Sequence, residues 1–173
     1  MSEGTSEKPI PRQIEPRKFA QHGVKLQGSL PAEALERLSG AVVGVKHIHA
    51  DVVFSMDDQR QKILTGHLDA KVVRQCQRCL EPVDVDLNCV FTLGVVWDEE
   101  ESRQLSKDID PWIVTEDSAD LYAVLEEEML LAMPFVSFHA EPCVDASKFQ
   151  SGPAELGKPE KENPFDVLKK LKK

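Results

Sequence analysis

The sequence contains little that is typical of membrane or secreted proteins. No apolar run approaches the ~18–20 residues of a membrane span, and the longest, residues 129–136, is interrupted by Pro134. Residues 1–7 are polar and lack the charged-then-apolar pattern of a signal peptide. We therefore expect a cytoplasmic protein that does not enter a membrane. Its four cysteines are expected to be thiols or metal ligands rather than disulfides.

Motifs of the common enzyme classes are also missing. The chain has no glycine-rich phosphate loop, no Gly-x-Ser-x-Gly nucleophile elbow and no His-Glu-x-x-His metal motif. Only 6% of the residues are aromatic. None of these aromatics is interleaved with the basic residues near the predicted turns, so stacking on single-stranded nucleic acid is not indicated. These absences predict a protein that is not an enzyme.

The charge of the chain is unevenly distributed. The length of 173 residues indicates one domain with tails, and the formal net charge is −9. Residues 81–130 alone hold 2 basic and 15 acidic side chains, whereas both ends are mildly basic. An acidic block is typical of a solvated face or loop. Because charges act mostly within ~10 Å, the segregation still permits local contact with nucleic acid.

Alternating apolar residues predict three β-strands. Apolar side chains occupy every second position in residues 48–56 and 83–95, and most such positions in residues 64–72. A period of two places them on one face of a sheet. The short polar turns between these stretches predict an antiparallel meander or partial barrel with one buried face. Cys89 has the parity of that face and is interpreted as a core residue.

A helix over residues 121–133, ended by Pro134, is expected to cover the sheet. Asp117, Ser118 and Asp120 precede this helix and would supply its N-cap and first-turn acids. The predicted fold class is therefore α+β. It consists of an antiparallel β-meander or partial barrel covered by one main α-helix, with flexible N- and C-terminal segments.

The composition suggests four segments along the chain. Residues 1–20 show no apolar period and are interpreted as a flexible N-terminal arm, followed by a single α+β domain over residues 21–144. Residues 145–163 are rich in Gly, Pro, Lys and Glu, which is typical of a linker. Residues 164–173 predict a short amphipathic C-terminal helix with lysines at its end, where the helix dipole favours them.

A C-x-x-C motif, Cys76 and Cys79, lies at the turn between the second and third predicted strands. This spacing lets two thiolates bind one zinc ion, and His139 and Cys143 would complete a set of three cysteines and one histidine. The motif is also compatible with two ordinary reduced thiols in a turn. A redox role is disfavoured because redox motifs usually lie at a helix N-terminus, whereas this one leads from strand to strand.

Basic residues lie near the predicted hairpin turns and at the C-terminus. They could neutralise a few phosphates in a weak, salt-sensitive contact with RNA, or bind a protein partner. Glu128, at the edge of the apolar stripe of the main helix, is expected to pair with Arg74 or Arg78. The candidate binding residues are Arg60, Lys62, Lys71, Arg74, Arg78, Lys169, Lys170, Lys172 and Lys173.

Three separated motifs, in the same order, resemble the YceD family of large ribosomal RNA subunit accumulation proteins. They are residues 72–82 around the C-x-x-C, residues 120–134 followed by His139 and Cys143, and residues 163–168 (NPFDVL). The resemblance extends from about Gln27 to the C-terminus. It implies a bacterial-type cytoplasmic protein that is needed for normal 23S rRNA accumulation or processing, and so for large-subunit biogenesis. It implies no known catalytic residue.

These features together predict a non-enzymatic ribosome-biogenesis factor that binds precursor 23S rRNA or a large-subunit assembly protein, with zinc as a possible cofactor. One alternative is a protein-interaction adaptor that acts on rRNA indirectly, through the acidic residues 98–110 and the C-terminal tail. Another is a thiol redox protein that uses the C-x-x-C motif. No feature indicates a particular oligomeric state.

Overall fold

The computed structural model describes residues 8–145 of the chain. Of these, residues 8–141 belong to one compact unit, and a second unit begins at Pro142. The helix predicted over residues 164–173 lies outside the described residues, as does all of the predicted linker after Asp145. Within the described residues, no helix has both the length and the apolar character needed to cross a membrane.

The first unit combines β-strands with short helices. A short 3-10 helix, Ala32–Ala34, precedes the second α-helix. In chain order, the other elements are β1 (Gln13–Ile14), α1 (Pro16–His22), β2 (Lys25–Ser29), α2 (Glu36–Ala41), β3 (Gly44–Met56), β4 (Lys62–Gln75), β5 (Pro82–Val96), α3 (Glu99–Ser102), β6 (Asp110–Ile113), β7 (Ala119–Asp120) and α4 (Leu121–Ala132).

Five strands form the main sheet, in the order β2-β3-β4-β5-β6. The pairs from β2 to β5 are antiparallel, whereas β6 pairs in parallel with β5. A parallel pair needs a crossover connection, and the chain between β5 and β6 contains α3. β2 and β6 lie at the two edges, so the described sheet is open rather than a closed barrel. The predicted α+β class, with an antiparallel meander and one main helix, is confirmed.

The alternation of apolar residues places the core on one face of the sheet. Phe54, Leu64 and Leu68 are fully buried there, and Cys89 is half-buried against the same core. α4 is the predicted covering helix, and it buries Leu121, Leu125 and Met129 in the core cluster. α1 packs on β3 and β4. The core is therefore a sheet face covered by α1 and α4, and α2 adds Leu38 to it. The helical period of the sequence indicated α4.

The N-terminal segment is folded wherever the structure describes it, so the expectation of a flexible arm over residues 1–20 does not hold there. Ile10, Ile14 and Ala20 are buried in the core. The Tyr122 hydroxyl of α4 donates to the Ile10 carbonyl oxygen at 2.7 Å. Composition missed this segment because its few apolar residues are separated by charged ones and are ordered by tertiary contacts.

Both ends of α4 follow from local chemistry. The carboxylate of Asp120 accepts hydrogen bonds from the backbone N–H groups of Tyr122 at 2.9 Å and Ala123 at 3.3 Å, which confirms an N-cap at one of the three predicted positions. Met133 has extended backbone angles, as expected for the residue before a proline. The chain after Pro134 therefore leaves the helix axis.

Gly66 on β4 is expected to be intolerant of a side chain. A Cβ atom at this position would lie 2.1 Å from Cζ of Phe91, which occupies the opposite position on β5. Because the ring must move within a packed core, we expect Gly66→Ala to lower the free energy of unfolding by about 1–3 kcal/mol. Urea unfolding measures this change. Gly40→Ala is the control, since no atom lies within 4 Å of its added Cβ and alanine is the better helix former. Equal destabilisation by both changes would contradict this account.

Candidate metal centre at the end of the sheet

The hairpin between β4 and β5 ends in a tight turn, residues 76–81, which we call the knuckle. The backbone N–H of Cys76 donates to the Glu81 carbonyl, and the N–H of Leu80 donates to the Cys76 carbonyl, both at 2.9 Å. Leu80 adopts a left-handed conformation with φ of 65°, which is costly for a residue with a side chain. The knuckle therefore folds back sharply, and Cys76 and Cys79 lie close together within it.

The chain after α4 returns along the knuckle, and we call residues 134–139 the return segment. The N–H of Gln77 donates to the Ser137 carbonyl at 2.9 Å. Arg74 donates to the Pro134 carbonyl and, at 3.2 Å, to the Ser137 hydroxyl, which belongs to a buried residue. Hydrogen bonds to backbone oxygens thus fix the path of the return segment.

The return segment brings His139 to the two cysteines. The potential ligand atoms of Cys76, Cys79 and His139 all lie within 4.8 Å of one another. Nδ1 of His139 is 3.4 Å from Sγ of Cys79, close to the separation of about 3.6 Å that tetrahedral zinc with ordinary bond lengths requires. These side chains form a Cys/His cluster that could hold a metal ion.

The two ring nitrogens of His139 have different partners, and this difference leaves Nδ1 as the potential ligand atom. Nε2 lies 3.0 Å from the carbonyl oxygen of Pro82. A carbonyl only accepts hydrogen bonds, so Nε2 carries the proton in the neutral ring, and Nδ1 keeps its lone pair. Such a hydrogen bond to the outer nitrogen is the usual support of a metal-binding histidine.

The environment of Cys76 favours the thiolate, which is the form that binds metal. Burial alone would raise the pKa of Cys76, but the backbone groups of Cys79, Arg78 and His139 stabilise its thiolate by hydrogen bonding and lower the pKa to about 5. The pKa of the Cys89 thiol changes in the opposite direction, since burial raises it. None of the four cysteines forms a disulfide.

Cys143, the fourth predicted ligand, belongs to the second unit and is half-buried. It follows His139 by four residues in the sequence, a stretch that spans at most ~14 Å when extended. Structural zinc sites take four ligands. Three of the four predicted ligands therefore come together within the first unit, and the fourth is tethered to one of them by a short stretch of chain.

The basic candidates within residues 8–145 do not form one patch. Arg60 and Lys62 lie at the β3–β4 turn, whereas Arg74 and Arg78 lie at the knuckle. The strand between the two turns spans about 40 Å. The lysines at positions 169, 170, 172 and 173 lie outside the described residues.

Lys71 and the knuckle arginines differ in how their charges are balanced. Lys71 donates to Asp86 at 3.1 Å, and this hydrogen bond raises the pKa of Lys71. The expected pairing of Glu128 with Arg74 or Arg78 is not found. Instead, Arg74 donates to the oxygens already described, and Arg78 donates to the His139 carbonyl. Across residues 8–145 neither arginine pairs with a carboxylate, so their charges are not locally neutralised.

Sequence reasoning missed a group of exposed apolar side chains beside the knuckle. Phe135 is 99% exposed, Leu80 65%, Val136 51% and Phe138 45%. The guanidinium carbon of Arg78 lies 4.9 Å from the centre of the Phe138 ring. Aromatic and basic residues that are about 60 positions apart in the sequence thus share one surface. In the sequence, the one signal of an exposed apolar group was the stretch of residues 135–138, directly after Pro134.

The contacts made by Arg74 should contribute measurably to stability. We expect Arg74→Met, which keeps the aliphatic stem but loses the donors, to lower the free energy of unfolding by about 1–2 kcal/mol. Urea unfolding measures this effect, and faster amide exchange at Gln77 would locate it. Arg60→Met at the exposed β3–β4 turn is the control and should change stability by less than about 0.5 kcal/mol. A loss at Arg60 as large as that at Arg74 would refute the assignment.

Two sequence comparisons find proteins related to this chain. The family profile described as "Large ribosomal RNA subunit accumulation protein YceD" matches residues 64–172, which include the knuckle and the return segment. A curated relative from Haemophilus influenzae with the same description is 35% identical over 169 residues, covering 94% of this chain and 96% of the relative. No solved structure matches. On these two similarities, as the three motifs predicted, the chain belongs to the YceD family.

Proposed function

We propose that this protein is needed for the accumulation of large-subunit ribosomal RNA. The observation that carries this proposal is the 35% identity to the Haemophilus influenzae relative over 94% of the chain, since that relative is described by this role. The knuckle and the return segment lie inside the region that matches the family. A shared role is therefore expected to use the same end of the sheet.

The protein acts as a binding factor for precursor 23S rRNA rather than as an enzyme. In support, the ligands clustered at the knuckle are sulfur and nitrogen atoms without a carboxylate, a set typical of structural rather than catalytic zinc. Arg74 and Arg78 provide positive charge beside the cluster without a carboxylate partner among residues 8–145. An adaptor that binds an assembly protein instead is the competing hypothesis.

Zinc is the metal that fits the knuckle best, held by Cys76, Cys79, His139 and Cys143. Three thiolates and one imidazole form a closed tetrahedral set. The ion would tie the return segment to the knuckle, adding to the hydrogen bonds from Arg74 and Gln77 described above. Its role in this proposal is structural, because a fully ligated ion leaves no open position for substrate.

The metal content of the purified, untagged protein tests this assignment. We expect about one zinc per chain by elemental analysis, and loss of most of it in Cys79→Ser and Cys143→Ser because a structural site needs all four ligands. Cys89→Ser is the matched control and should keep its zinc, since Cys89 lies on the sheet and outside the cluster. Chelation should lower the melting temperature of the wild type and of Cys89→Ser alike. A protein without metal, or loss of zinc in Cys89→Ser, would rule the site out.

A thiol redox role remains the second candidate because the pKa of Cys76 is lowered to about 5, as in reactive cysteines. Burial of Cys76 opposes it, since exchange requires access to the sulfur. Rapid alkylation of cell lysates decides between the two roles. Reduced thiols at Cys76 and Cys79 support the metal site, whereas a trapped disulfide between them supports redox chemistry.

The cellular role can be tested by depletion in the source bacterium. We expect the ratio of 23S to 16S rRNA to fall when the protein is depleted and to recover with wild type or Cys89→Ser. Cys79→Ser should fail to restore the ratio, because without the ion the return segment would be held to the knuckle by hydrogen bonds alone. Quantification of total rRNA measures the effect. An unchanged ratio after complete depletion would refute the proposed function.

A further inference from the structure

We propose that the knuckle and the return segment form a platform on which Phe135 and Phe138 stack unpaired RNA bases, with Arg74 and Arg78 placed to attract the adjoining phosphates. This inference rests on the proposed function and names the surface and the form of RNA involved.

The orientation of the return segment is the first support for this platform. Its backbone oxygens at Pro134, Phe135, Ser137 and His139 accept hydrogen bonds from side chains or backbone of residues 74–78. The segment is thus held by its backbone, and the aromatic side chains are left at the surface. Exposed apolar side chains grouped in this way mark interaction surfaces on soluble proteins.

The exposure of Phe135 is the second support. Its side chain is 99% exposed, so the ring contributes almost no packing to the fold. An aromatic ring in that position offers a flat apolar face that a nucleobase can cover, and base–aromatic stacking is a main source of affinity in single-strand binding.

The neighbours of Phe138 are the third support. Arg78 lies over the Phe138 ring, with 4.9 Å from its guanidinium carbon to the ring centre. Proteins that bind single-stranded nucleic acid combine aromatic rings with arginine in this way, because both present planar faces to bases and the cation also attracts phosphate.

Electrostatics favour RNA over an apolar protein segment on this surface. No ion pair to a carboxylate neutralises Arg74 or Arg78 within the described residues. A purely apolar partner would leave both charges without compensation, whereas phosphates complement them. The RNA must be unpaired at the contact, because bases within a duplex already stack on one another and expose no face.

Fluorescence anisotropy with the full-length protein as purified tests the platform. The probe is a labelled 12-nucleotide RNA of mixed sequence without self-complementarity, compared with the same strand in a duplex. We expect the single strand to bind at least tenfold more tightly than the duplex. Phe135→Ala should weaken single-strand binding about tenfold, and Phe135→Trp should preserve it.

One further variant separates stacking from simple apolar contact, and another serves as the control. Phe135→Leu keeps an apolar side chain without a planar face and should lose affinity as Phe135→Ala does. Val90→Ala is the matched control, since Val90 is an exposed apolar residue of β5 outside the platform, and it should bind as the wild type does. Since Phe135 packs against almost nothing, none of its variants should alter the melting temperature.

Equal binding of single strand and duplex, or full affinity in Phe135→Leu, would overturn the platform. So would a Phe135→Ala protein that keeps its RNA affinity yet fails to restore the 23S to 16S ratio, since the exposed ring would then serve a protein partner. That last outcome would leave the role in rRNA accumulation intact. An unchanged ratio after depletion would instead defeat the proposed function itself.

Discussion

Hydrogen bonds donated by the end of the β4–β5 hairpin to the backbone of the return segment are the contacts on which the candidate site depends. Pro134 ends α4 and turns the chain, and the donors on Arg74, Gln77 and Arg78 fix where it goes next. Apart from the Ser137 hydroxyl, their acceptors are carbonyl oxygens, which any residue provides. The path is therefore set by the hairpin end, while the side chains of the return segment remain available as ligand and as exposed rings.

The sequence predicted those parts of the fold that depend on local periodicity. Alternating side chains identified β3, β4 and β5, and the helical period with its aspartate cap identified α4. The sequence did not predict the structure where tertiary packing decides it. Ile10 and Ile14 are buried, although they lie in a stretch of proline, charged and amide residues without an apolar period. The parallel pairing of β6 with β5 was equally inaccessible, because it depends on how the chain crosses over and not on any local pattern.

The candidate site likewise has parts that the sequence predicted and parts that it did not. C-x-x-C spacing and the later histidine predicted that Cys76, Cys79 and His139 would lie together, as they do, because metal ligands are restricted to few residue types. The sequence did not point to the exposed rings because they are not interleaved with basic residues along the chain. The fold brings Phe138 and Arg78, from two distant segments, to one surface. The separation of Arg60 from Arg74 follows from topology alone, since the two turns of a meander lie at opposite ends of their shared strand.

The same geometry reconciles an acidic protein with the proposed RNA partner. β5 leads away from the knuckle for 15 residues, about 45–50 Å, before the chain reaches the acidic helix α3. The densest acidic cluster, residues 98–101, is thus several Debye lengths from Arg74 and Arg78, and at physiological salt its repulsion is largely screened there. Asp84 and Asp86, which are closer to the knuckle, are engaged by Lys46 and Lys71 across the sheet. The net charge of −9 therefore describes the molecule as a whole and not the potential at the knuckle, where Arg74 and Arg78 outnumber the single acidic residue of the knuckle, Glu81.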